Sequence, residues 1–136
     1  MIVADTNLVV SLFVQETQTP LARAVFARDA DWRMPAFWKA EFLNVLSTYV
    51  RFGDMPLEDS LRLWRLATEA SFIREEAVDG AEALRLAKQH KISGYDAVFL
   101  ALARRLDVAL VTADKKLCKT APGLAVPLET FASMKE

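Results

Sequence analysis

The chain has little of what small disulfide-bonded folds and zinc sites depend on. Its one cysteine, Cys118, has no partner for an internal disulfide and no Cys or His at ligand spacing, so both classes are excluded. No apolar run approaches the roughly 20 residues of a membrane span, and there is no internal repeat or low-complexity segment. Neither sign of charge dominates. With 17 Lys plus Arg against 18 Asp plus Glu, net charge points to no partner, and a nucleic acid would have to be met by a local basic patch. The first residues carry neither a basic start nor an apolar stretch of export length, from which a cytoplasmic protein is expected.

What is present is a core. Hydrophobic residues make up 53% of 136 positions, enough for a single domain over residues 1–136 that buries roughly two-thirds of its unfolded surface. Strand-like and helix-like segments alternate, the pattern of an α/β domain with a central parallel sheet of four or five strands flanked by helices in three layers. Strands are expected at about Ile2 to Ala4, Trp32 to Met34, Ser71 to Glu75 and Val108 to Thr112, with a fifth around Ala125 to Leu128. Helices are expected from a Thr19 cap with Pro20 first to about Arg28, from Pro35 to Phe52, and from Pro56 to about Ala70. Two more run from Asp79 to His90 and, capped by Ser93, to Leu106.

Four carboxylates fall at one edge of such a fold. Asp5 follows Ile2, Val3 and Ala4, and Asp114 follows the run Val108 to Ala113, so each sits just past the end of a strand that reads as buried on both faces. In a parallel α/β sheet the helix N-termini lie along that same edge, where ligands bind. Glu41 and Asp96 both lie near helix N-termini. At about 100° per residue Glu41 falls at about 40° from Phe37, inside the apolar arc of its helix, and Asp96 at about 100° from Tyr95, between Ala103 and Leu100. Carboxylates on inward helix faces are costly without a cation or strong donors.

Each acid has a plain structural reading. Asp5 and Asp114 can cap the helices that follow them, Glu41 can pair with an inward base, and Asp96 can favour its helix dipole. Taken together, four carboxylates on one edge repel one another unless a counter-cation is present, and an all-oxygen set suits Mg²⁺ or Mn²⁺.

The run from Val3 to Asn7, the segment from Pro35 to Leu46 with Glu41 inside it, the run from Ser93 to Ala101 and the run from Leu110 to Leu117 resemble the four acidic motifs of PIN-domain nucleases. The resemblance spans nearly the whole chain, whose compact size is similar to that of the VapC-type toxins of toxin-antitoxin pairs. It implies a parallel sheet of order 3-2-1-4-5 and metal-dependent endonucleolytic cleavage of RNA. It makes Asp5, Glu41, Asp96 and Asp114 the catalytic set, with Asp5, Asp96 and Asp114 as metal ligands and Mg²⁺ or Mn²⁺ as cofactor. It also implies a homodimer and a small antitoxin. Asn7 and Thr112 are supporting candidates, each with a local role as alternative, in capping and in satisfying backbone groups.

Lys115 and Lys116 follow the site and are candidates for RNA phosphates, as a solvated helix face is for them; Arg28, Arg33 and Lys39 are weaker ones. His90 reads as a helix-end residue, Cys118 as packing, and Trp32, Trp38 and Trp64 as core or interface. The apolar residues of the Pro35 helix spread over roughly 240°, wider than one core requires. With Leu57, Leu61 and Trp64 of the next helix they can form a groove for an amphipathic helix, or be covered by that neighbour or by a second copy. Two other functions share this pattern: a non-catalytic PIN-fold RNA-binding or scaffold module, and a receiver-like phosphotransfer domain. The latter wants clustered acids after the first strand, where Asp5 stands alone before Thr6 and Asn7.

Overall fold

The computed structural model describes residues 1–134. The chain runs β1 (Ile2–Ala4), α1 (Thr6–Phe13), α2 (Thr19–Arg28), β2 (Trp32–Met34), α3 (Trp38–Phe52) and α4 (Leu57–Thr68). It continues through β3 (Ile73–Glu75), α5 (Gly80–His90), α6 (Gly94–Leu106), β4 (Leu110–Thr112), α7 (Lys115–Thr120), β5 (Ala125–Pro127) and α8 (Leu128–Ser133). The five strands pair in parallel in the order β3-β2-β1-β4-β5. A receiver domain has the order 2-1-3-4-5, so the topology sets that alternative aside.

The centre of the sheet is apolar because its strands are covered on both faces. All three residues of β1 and of β4 are buried, and helices pack in two groups, α5 with α6, and α1 with α2, α3 and α4. Trp32, Trp38, Phe42 and Phe99 supply the largest buried side chains. The buried indoles are satisfied, Trp32 Nε1 donating to Asp29 O at 2.7 Å and Trp38 Nε1 to the Glu75 carboxylate at 3.0 Å. In β1 and β4, Val3 lies opposite Leu110 and Ala4 opposite Val111. Asp5 and Thr112 therefore leave the sheet side by side.

The element boundaries differ from expectation where turns and hydroxyls compete with helix. Pro35 to Phe37 form a turn, with Trp38 N donating to Pro35 O at 3.1 Å, so α3 begins three residues later than the proline suggests. Thr19 is the first residue of α2 rather than its cap; its hydroxyl donates to Ser11 O at 2.7 Å and accepts from Glu16 N at 3.0 Å. Pro56 and Asp79 are caps, not helical residues. Helix α8 was not expected: Leu128, fully buried, opens a six-residue helix instead of ending the last strand. Six residues are too short for a periodic signal.

One charged cluster is internally balanced. Arg33 on β2 donates to Asp31 at 2.7 Å and also to Glu76, which accepts from Arg105 at 3.4 Å. Arg33 is therefore committed inside the protein and is removed from the candidates for phosphate contact. Lys39 pairs with Glu75 at 3.5 Å, and Arg28 lies over the Phe131 ring at 5.6 Å.

Candidate active site

Asp5 is the N-cap of α1 and the most constrained acid. Its backbone N donates to Val111 O at 3.1 Å, which extends the β1–β4 ladder by one bond. Its Oδ1 accepts from Thr6 N at 2.7 Å. Its Oδ2 accepts from Thr112 Oγ1 at 2.7 Å and from Asn7 Nδ2 at 3.4 Å. Burial pushes its pKa from the ordinary 3.8 to about 6; the Thr112 and Thr6 bonds oppose this, and the Glu41 and Asp96 charges add to it.

Thr112 ties two of the acids together. It is fully buried, and its oxygen, besides donating to Asp5, accepts from Asn7 Nδ2 at 3.2 Å and from Asp114 N at 3.0 Å. Asn7 Oδ1 in turn accepts from Ala113 N at 3.1 Å, so both supporting candidates bridge the ends of β1 and β4. Asp114 caps α7 through Leu117 N at 3.0 Å. The capping roles of Asp5 and Asp114 are real, and each leaves carboxylate oxygen capacity unused, since an ionised carboxylate accepts about four hydrogen bonds.

The helical acids come in from the flanks. Glu41, the fourth residue of α3, is half-buried and accepts from Thr6 Oγ1 at 2.7 Å. Burial raises its pKa, the Thr6 bond opposes, and the Asp96 charge raises it further. Asp96 is the third residue of α6, placed there by Ser93, whose Oγ accepts from Asp96 N at 3.1 Å. Its pKa is raised by burial first and by the Asp114 charge second, against the Ser93 bond. The basic partner that a structural role for Glu41 would need does not occur: among the described residues, no ion pair involves any of the four acids.

The donor set fits a hard divalent cation of the magnesium kind. All four side chains offer oxygen only, and their mutual repulsion has no basic counterweight. No three acids among the described residues stand close enough to enclose an ion unaided. Mg²⁺ seldom has such a cage; it is held by one or two carboxylates together with waters and substrate phosphate.

Of the other residues, Lys115 and Lys116 are exposed at the start of α7 beside Asp114 and join none of the ion pairs among the described residues. Cys118 packs half-buried against the core, and its thiol pKa is pushed up by burial and by the charges of Asp114, Glu129 and Asp5, which fits an inert packing role. Thr6 is the residue that sequence reasoning passed over. A hydroxyl directly after a strand-end aspartate is the signal the sequence offers for it.

The sequence pattern of the PIN domain matches residues 2–122. The chain belongs to the PIN-domain family. The matched stretch contains Asp5, Glu41, Asp96 and Asp114. This PIN domain is similar to ribonuclease VapC3 of Pyrobaculum aerophilum, at 25% identity over 130 residues covering 93% of this chain and 98% of that protein. Its fold matches the crystal structure of PAE2754 from Pyrobaculum aerophilum with a TM-score of 0.76 at 20% identity, covering 97% of this chain and 96% of the other.

Proposed function

We propose that this PIN domain, acting as a single domain over residues 1–136, is a metal-dependent endoribonuclease and the toxin of a toxin-antitoxin pair. The observation that carries the reading is a four-carboxylate edge without a single basic partner among the described residues, in a chain similar to a ribonuclease. Asp5, Asp96 and Asp114 would hold Mg²⁺ or Mn²⁺ together with waters and a substrate phosphate, and not as a closed cage. The bound ion would supply positive charge to the scissile phosphate and favour ionisation of the attacking water.

The remaining work falls to the chain's own groups. Asp5 is kept in one rotamer by Thr6 N, Thr112 and Asn7, so its free lone pairs have a fixed direction. Glu41, standing to the side with only Thr6 as a side-chain donor, is suited to take a proton from the attacking water. Its raised pKa makes it a better base than an ordinary glutamate. Lys115 and Lys116 can draw the neighbouring phosphates of a single strand to the edge.

The partner reading rests on apolar surface. Leu43, Leu57 and Leu61 are exposed beside a cleft of about 380 Å³ between α3 and α4, with Trp64 on its wall. An antitoxin helix would lie in that groove, and a second copy would complete a homodimer. A cytoplasmic location follows from an RNA substrate; no helix among the described residues is long and apolar enough to cross a membrane.

The test is direct. Purified protein free of any partner should cleave single-stranded RNA in Mg²⁺ or Mn²⁺ and stop in chelator, with folded Asp96→Ala inactive. Undiminished cleavage by that variant would overturn the assignment.

A further inference from the structure

Asp5 has three side-chain or backbone donors fixing it, whereas Glu41 has one, the hydroxyl of Thr6. Thr6 is the first residue of α1 and 5% exposed. It is used twice within the site: its backbone N donates to Asp5 Oδ1 at 2.7 Å and its Oγ1 donates to Glu41 Oε1 at 2.7 Å. A threonine hydroxyl has one proton to give. Committed to Oε1, that proton leaves Oε2 as the free oxygen of Glu41 and fixes which way the carboxylate plane faces. One residue thereby sets both a β1 acid and an α3 acid, although α1 and α3 are joined nowhere else by a side-chain hydrogen bond among the described residues.

We propose that Thr6 is a positioning residue, which acts through Glu41 to hold the α3 carboxylate in register with Asp5. A helix-capping or packing role would need only the shape of the side chain. A positioning role needs the hydroxyl, and outer-shell donors of this kind are costly to lose where carboxylates serve a cation.

This role rests on the nuclease reading above, and calorimetric titration with Mn²⁺ separates the two. Thr6→Val keeps the shape and removes the donor; Thr6→Ser keeps the donor. Because Glu41 lends its charge beside the cation and not a ligand oxygen, Thr6→Val should lower Mn²⁺ affinity only about 5-fold to 10-fold, and Thr6→Ser should restore it to within about twofold of the parent. In a double-mutant cycle, Thr6→Val should add little to Glu41→Gln, because contacting residues in one network are not additive. Circular dichroism in chelator checks that each variant is folded, and if Thr6→Val is not, Thr6→Ala, which also removes the donor, takes its place in the comparison and in the cycle with Glu41→Gln. Wild-type protein that takes up no Mn²⁺ would overturn the nuclease reading and this role with it. Wild-type binding matched by Thr6→Val, or additive effects of Thr6→Val and Glu41→Gln, would overturn the positioning role alone.

Discussion

Two groups of acids on the same sheet have opposite fates. Asp31 and Glu76 surround Arg33, whose bonds and charge hold the Asp31 carboxyl below the usual range, and Arg105 closes the group on its outer side. Asp5, Glu41 and Asp96 have hydroxyls, an amide and backbone N–H groups for company, but no base, and each has its pKa raised. The first group is arranged to stay as it is. The second keeps uncompensated negative charge that a divalent cation would relieve, and on the proposed function that difference would separate a structural ion cluster from a site for chemistry.

The two groups of acids should differ most in activity. Asp5→Asn or Asp96→Ala should cut RNA cleavage by at least about 100-fold, the scale of losing a group that stabilises developing charge. Glu76→Gln should leave cleavage near the parent level, as gel assays with labelled RNA would report. Equal losses at Asp96 and Glu76 would erase the distinction.

They should differ next in stability. Arg33→Met strands Asp31 and Glu76 and should cost about 1–3 kcal/mol in urea unfolding. Glu41→Gln and Asp114→Asn should do the opposite in chelator, raising the melting temperature by roughly 2–6 °C because repulsion falls. Amide variants markedly less stable than the parent would mean that the acids serve as structural partners. Mg²⁺ should raise the parent's melting temperature by mass action on the folded form and raise that of Asp96→Asn less.

The pH response is smaller. Asp5 binds its proton more tightly folded than unfolded, so in chelator its effect on stability is least unfavourable below pH 3.8. That effect should worsen as pH rises to about 6 and level off above it. Asp5→Asn should flatten the slope over that window, as melting curves across pH would show.

Much of this contrast was legible in the sequence. Strand-end positions gave Asp5 and Asp114, and helical angles placed Glu41 and Asp96 toward the interior, because burial on both faces leaves an unmistakable apolar run. The half of the site built from hydroxyls was harder to see. Thr112 is a supporting candidate from the sequence, but its bond to Asp5 depends on register, Ala4 lying opposite Val111, and register between strands more than a hundred residues apart leaves no local mark; Thr6 bonds Glu41 on a separate helix, which leaves none either. The fate of Arg33 was hidden for the same reason, since Glu76 reaches it from the end of a different strand. Helix α8 was missed because its six residues carry no period.

On the proposed function the acidic edge takes up a divalent cation. Anomalous diffraction from crystals soaked in Mn²⁺ tests it most directly. A peak is expected bounded by the Asp5 and Asp96 carboxylates, with Asp114 nearby, and none beside Asp31 and Glu76. Ordered density for all four acids with no peak among them would contradict it.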